Sequence, residues 1–308
     1  MGNWGVGLYS GDFAQDLRSS VRAVSRLPFA PSKLLELLCQ TELKAANDPS
    51  DPDHTVFWLV AADQFAKRGI DCSAVRDRAL SIIEDGSDLA TMAALGMDGK
   101  SLAKRRAMLE ELRLRLAAPL LTAKRAAVLK APQKLLFEVG DVLAYPVCKE
   151  DPINPYCVGP KWATRTRWVQ DGWGAFAVAE RGHVFEFLAW YRPLRIMMPL
   201  GYEPSLNDLL ELRGWLLDNP GTLSARHYSA MQIKPVGRIA IDSAKLDHIF
   251  PKRMSPRSCA VSDISLANNL FVYNPRGGVP EAYRVKHGLP PLPRIEVLGE
   301  IMKDAHLP

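Results

Sequence analysis

At Pro132 the hydrophobic texture of the chain changes, and one packing period cannot serve both sides of it. Before Pro132, apolar residues return every three or four positions, the spacing of amphipathic helices. After it, short runs of β-branched and aromatic residues stand between turn formers, the texture of strands. The change predicts an α+β protein. A helical N-terminal domain, residues 1–130, is expected to pack on an α+β domain, residues 131–308, built on a bent antiparallel, partly open barrel-like sheet with short helices. A chain of 308 residues has room for both cores.

The helical half reads segment by segment. In DFAQDLRSSVRAV, Phe13, Leu17, Val21 and Val24 form one stripe. Asp12 is expected to cap this helix, with Gln15 as its capping-box partner. PSKLLELLCQTEL starts with a proline suited to a first turn. HTVFWLVAADQFAKRG is apolar nearly all round and stops at Gly69. Its one acid, Asp63, lies amid Phe57, Val60, Ala61 and Phe65. A buried carboxylate must be paired or neutral, so Asp63 is expected to be held by a basic side chain or by backbone N–H groups. SAVRDRALSIIEDG repeats the helical pattern and stops at Gly86. SLAKRRAMLEELRLRLAAPLL carries the stripe Leu102, Leu109, Leu112 and Leu116, and TAKRAAVLKAP closes the half.

Beyond Pro132, LLFEVGDVLAYPV is expected to turn at Gly140-Asp141. GWGAFAVAERGHVFEFLAWY reads as a hairpin with Glu180, Arg181 and Gly182 at its tip. PLRIMMPL is a short strand, LNDLLELRGWLLDNPG one helix, MQIKPVGRIAID two short strands, SAKLDHIF a short helix and LANNLFVYN a last strand. The final 35 residues read as an irregular tail on the surface.

The opening, MGNWGVGLYSGDFAQDL, resembles the start of an uncharacterised bacterial family, the DUF4259-like proteins, which share the pattern MGxWGxxLYxxDxAxD. Longer relatives continue with segments like VFWLVAADQFAKRG, AKRRAMLEELRLRL and FEVGDVLAYPV, so the resemblance covers roughly residues 1–147. It departs at Gly11, where relatives carry another acid, which weakens a metal reading of the nearby acids. The second part is loosely similar to the small barrels of bacterial immunity proteins, and a shared fold does not fix function. The resemblance implies no established activity. Within the opening itself, Trp4 is expected to be buried, and Gly5 and Gly7 to permit a close backbone approach. No strand precedes the glycines and no Lys-Ser/Thr follows them, so they are expected to seat the chain end rather than cradle phosphate.

Composition narrows the function classes. A net charge of +5 is mild, and no apolar run is long enough to span a bilayer. The start lacks the pattern of a secretory signal, and five cysteines make an odd count, so a cytoplasmic protein with reduced thiols is expected. Asp12 and Asp16, one turn apart, are expected to be a solvated capping pair. Cys148 and Cys157 have eight residues between them, which is no zinc spacing. His54, His183, His227, His248, His287 and His306 are scattered, and no HExxH or GxSxG motif occurs. No catalytic residue, metal site or cofactor is expected. The leading expectation is a non-catalytic cytosolic factor that binds another protein, as immunity and defence-associated factors do. The alternatives are a nucleic-acid binder and an enzyme with a dispersed site. From Lys100 to Lys134 there are ten Lys or Arg against two acids, and Lys104, Arg105, Arg106 and Arg113 are the candidate phosphate contacts.

Overall fold

The computed structural model describes residues 5–119, 128–148, 151–152, 169–196, 201–216, 221–223, 225–251, 285–286, 288 and 294–303. The protein is α+β. The chain divides into two compact units with the break at Ala131–Pro132, where the hydrophobic period changes. Expectations for Trp4, Cys157, residues 120–127 and LANNLFVYN lie outside the described residues.

The first unit consists of α1 (Asp12–Val24), α2 (Pro31–Thr41), α3 (Leu43–Asn47), α4 (His54–Lys67), α5 (Ser73–Glu84), α6 (Ser87–Ala94) and α7 (Gly99–Ala117). A helix that is apolar on all sides must lie at the centre of its bundle. So it is with α4, which packs against α1, α3, α5, α6 and α7 and buries Phe57, Leu59, Val60, Ala61 and Phe65. Its first residue, His54, is buried as well. The ring donates from Nδ1 to the Ala45 carbonyl at 2.7 Å, which leaves Nε2 to accept from Arg78 at 3.2 Å. The α1 stripe is buried at Leu17, Val21 and Val24, whereas Phe13 is only half-buried. The α1 cap differs from expectation. Gly11 is the N-cap and supplies no side-chain bond, Asp12 is exposed in the first turn, and the Gln15 amide donates to the Tyr9 carbonyl instead. Gly86 ends α5 in the left-handed conformation, φ 70°, and leads directly into α6, a helix the sequence pattern did not reveal.

The second unit is built on one antiparallel sheet of β1 (Asp141–Cys148), β2 (Asp151–Pro152), β3 (Gly172–Val184), β4 (Leu188–Ile196), β5 (Gly214–Leu216) and β6 (Lys234–Arg238). Its order is β2-β1-β3-β4-β5, and β6 joins the outer edge of β1. Both faces are covered, so residues alternate between two cores. Leu143, Tyr145, Val147, Phe176, Val178 and Tyr191 fill one, with Phe137. Val142, Ala175, Ala177, Leu194 and Ile196 face the other, with Leu209, Leu246 and Phe250. The register shifts between Val178 and Glu180, and between Val142 and Leu143, and such bulges bend a sheet. The remaining helices are α8 (Leu206–Leu210), α9 (Ala225–Ala230) and α10 (Ser243–Ile249).

Four sequence readings are corrected here. The hairpin does not turn at Glu180-Arg181-Gly182. Those residues lie in β3, and the turn is Phe185–Phe187, with Phe185 and Glu186 at φ 50° and 64°. LNDLLELRGWLLDNPG is not one helix, because α8 stops at Leu210 and the chain re-enters the sheet as β5. MQIKPVGRIAID gives one strand, β6, and an isolated bridge from Ile241 to Met302. The end of the chain is not a surface tail where it is described, since Ile295, Leu298 and Ile301 are fully buried in the second core. Gly140 does turn, at φ 88°, and a β-carbon there would lie 2.0 Å from the Ile239 carbonyl oxygen.

Candidate functional site: the cations around Asp63 and Tyr9

Two buried carboxylates organise the polar side chains of the helical unit. The first is Asp63, on the α4 surface that would otherwise continue its apolar run. One carboxylate oxygen accepts from Lys67 Nζ at 2.7 Å and from the Tyr9 hydroxyl; the other accepts from Arg115 Nη2 at 2.8 Å. The Gln64 amide donates to the Tyr9 hydroxyl oxygen, and Arg68 donates to the Gln64 side-chain and backbone oxygens. Above this line of bonds, Arg18 and Lys67 lie 5.3 Å and 5.4 Å from the centre of the Tyr9 ring, within cation–π range. Burial, together with the hydrogen bond and charge of Asp63, raises the Tyr9 hydroxyl well above its ordinary value, so it stays protonated at neutral pH. Burial is the main cause that pulls Arg68 below its ordinary value, and repulsion from Arg22 and Arg18 adds to it.

The second carboxylate is Asp88 in the first turn of α6. Arg105 binds it as a fork, Nε to one oxygen at 2.6 Å and Nη2 to the other at 2.8 Å, and Thr55 adds a bond at 3.2 Å. Both partners are almost wholly buried. The remaining Arg105 nitrogen reaches the Val6 carbonyl at 3.5 Å. The opening stretch is thus tied at Val6 and again at Tyr9, which answers its glycines as the entry to the helical fold. Gly7 closes in until a β-carbon would lie 3.0 Å from Ser10 Oγ.

These bonds change the reading of the basic segment. Arg105 does not face solvent; it is 2 % exposed and committed to Asp88. Arg113 is on the surface but forks onto Glu110 at 2.6 and 2.8 Å. Lys104 and Arg106 are exposed. Arg115 turns the other way along α7 and serves Asp63. The structure therefore divides the four candidate phosphate contacts rather than aligning them, and gathers the cations of three helices elsewhere, at Arg18, Lys67, Arg68 and Arg115.

Asp63 is where the sequence indicated a held carboxylate. Asp88 and Tyr9 were missed. The signal for Asp88 was Gly86 followed by an acid two residues on, a left-handed stop and a helix start. Asp12 and Asp16 are exposed. Burial and then Asp12 raise Asp16, while burial, Asp16 and Asp53 raise Glu42, so these acids meet one another. Cys148, at the end of β1, is a free, half-buried thiol. Among the described residues no three His, Cys, Asp or Glu side chains converge as metal ligands would, and no helix is long and apolar enough to cross a membrane.

No family model, curated protein or solved structure matches this chain.

Proposed function

We propose that the protein is a non-catalytic, cytosolic factor that works by binding another protein, in the manner of immunity and defence-associated factors. The observation that supports this reading is the closed chemistry of the Tyr9–Asp63 constellation. Its residue types resemble acid–base machinery, yet a general base must be unprotonated and within reach of a substrate. Tyr9 is held protonated, and Asp63 already accepts from Tyr9, Lys67 and Arg115. Their work is to fix the opening stretch to α4 and α7. The resemblance of the opening to the DUF4259-like proteins fits this reading and adds no activity to it. The nucleic-acid alternative retains Lys104 and Arg106 as exposed cations on α7.

The test is reconstitution. The tagged protein is captured from its native cells, the captured partner is purified, and the pair is mixed and sedimented. A complex of fixed stoichiometry is expected, and Tyr9→Phe should form it as well as the wild type. A protein that forms no such complex, but turns over a substrate in an activity screen and loses that turnover on Tyr9→Phe, would be an enzyme instead.

A further inference from the structure

We infer that the cation cluster over Tyr9 is a docking surface for an acidic polypeptide segment; the inference rests on the protein-binding reading above and names the partner's chemistry. Four cations from three helices gather about the Tyr9–Asp63 pair: Lys67 of α4 and Arg115 of α7 bind Asp63, Arg18 of α1 and Lys67 lie over the Tyr9 ring, and Arg68, just past α4, binds Gln64 beside them. That carboxylate is 2 % exposed, while the side chains of Lys67 and Arg115 remain 54 % and 55 % exposed. Asp63 therefore anchors two of the cations from beneath and leaves their other N–H groups towards water. An ammonium has three donors and a guanidinium five, so most of the donors in the cluster are available to an incoming acceptor. Arg68 is lowered mainly by burial, and the smaller share that comes from repulsion by Arg22 and Arg18 is one an arriving anion would relieve.

The geometry favours carboxylates on a polypeptide over a nucleic-acid strand. Arg18 and Lys67 lie over one ring, and Arg68 and Arg115 are held through Gln64 and Asp63 beside it, a cluster instead of a track along which successive phosphates could lie. The aromatic ring at the centre is unavailable for base stacking, because Arg18 and Lys67 lie over it and its hydroxyl is bound to Asp63. Guanidinium forks match carboxylates, as Arg105 on Asp88 and Arg113 on Glu110 show within this same fold. Held rigidly by the hydrogen bonds beneath, Lys67, Arg68 and Arg115 lose less side-chain freedom on binding than free surface cations do.

The experiment measures binding of the full-length protein to poly-glutamate and to single- and double-stranded DNA of equal charge, as salt is raised. Poly-glutamate is expected to bind more tightly than either DNA at every ionic strength, with an affinity that falls as salt screens the charges. Arg18→Glu with Arg68→Glu should weaken poly-glutamate binding about tenfold or more. Arg18→Gln with Arg68→Gln, which removes charge without adding acids, should give an intermediate loss and keeps the test open if the reversal does not fold. Lys104→Glu with Arg106→Glu, on α7 away from Asp63, should leave it unchanged. Tighter binding to DNA, or poly-glutamate binding indifferent to Arg18 and Arg68, would overturn the inference. The captured partner separates the two levels of the argument. If it binds wild type and the Arg18/Arg68 variants alike, this surface is wrong and the protein-binding function stands; if no partner complex forms, that function falls.

Discussion

Asp63 and Asp88 are both buried carboxylates in one helical unit, and each is met by an arginine of α7, yet they sit in different electrical surroundings. Asp88 and Arg105 are sealed together, 0 % and 2 % exposed at their side chains. Asp63 is equally buried, but its cations reach in from the surface. A sealed pair gains its attraction in a medium of low polarisability and bears the full desolvation of both ions. A half-open site loses less hydration and is better screened. The contrast shows that α7 serves two purposes along its length: Arg105 closes the bundle, whereas Arg115, ten residues on, braces a carboxylate beneath a solvent-facing cluster.

Breaking the sealed site should have the largest effect. Asp88→Ala leaves a buried guanidinium without its acid and is expected to destabilise by about 3–5 kcal/mol in urea unfolding. The apolar double replacement Asp88→Leu with Arg105→Met removes both charges together and should recover much of that loss. If the single change cost no more than a surface substitution, the sealed pair would not be structural. At the open site, Asp63→Ala should cost less, about 2 kcal/mol, because Lys67 and Arg115 can turn to water. A loss equal to that of Asp88→Ala would erase the distinction between the sites.

Tyr9 gives a pH signature to the open site alone. Above pH 10, the ordinary value for tyrosine, the unfolded chain releases this proton while the folded protein retains it. The contribution of Tyr9 to stability is complete below that value, and declines as pH rises towards the folded value, by less than the limiting slope of about 1.4 kcal/mol per pH unit because solvent screens this half-buried group. Melting temperatures from pH 9 to 11 should fall less steeply in Tyr9→Phe than in wild type. Parallel curves would show that the hydroxyl is not held as described.

The smallest effect belongs to carboxylates that face acids instead of cations. Glu42 is raised by burial and by Asp16 and Asp53. A carboxyl whose folded value is raised is more favourable protonated, so its stabilisation is present at low pH and lost as pH climbs through the carboxylate range. Glu42→Gln is expected to raise stability at pH 7 by a few tenths of a kcal/mol to about 1 kcal/mol, with the gain vanishing near pH 4. A destabilised Glu42→Gln protein would indicate a partner that the like charges do not reveal.

The α+β division and the central place of α4 were legible because hydrophobic period reports burial directly. Asp63 was legible as the exception within that pattern. Arg105 was not, for a run such as AKRRAM presents three adjacent cations and only the rotation of the helix in its bundle decides which one turns inward. For the same reason a surface test on α7 reverses Lys104 and Arg106 but spares Arg105, whose change would break the Asp88 pair. Glycine misled twice in the sheet unit. Gly182 suggested a turn, but it faces Trp190, whose ring would lie 3.2 Å from an added β-carbon. Gly214 lies in a helical pattern, but its function is close approach to β4, where an added β-carbon would lie 2.9 Å from the Arg195 carbonyl oxygen. Both constraints belong to neighbouring strands, so local pattern cannot reveal them.

The burial of Ile295, Leu298 and Ile301 in the same core as Val142 sets an order of events during synthesis. Helices α1 to α7, with the buried side chains described for the helical unit, all precede residue 131 and can pack while the rest is being made. The sheet unit cannot. Val142 must wait for side chains roughly 150 residues further on, a delay on the order of ten seconds at ordinary translation speeds. Through that interval the second core lacks part of one wall, and its strands are exposed to the cell as an incomplete sheet. Chaperone demand should therefore fall on the second unit, late in synthesis, after the first is already folded.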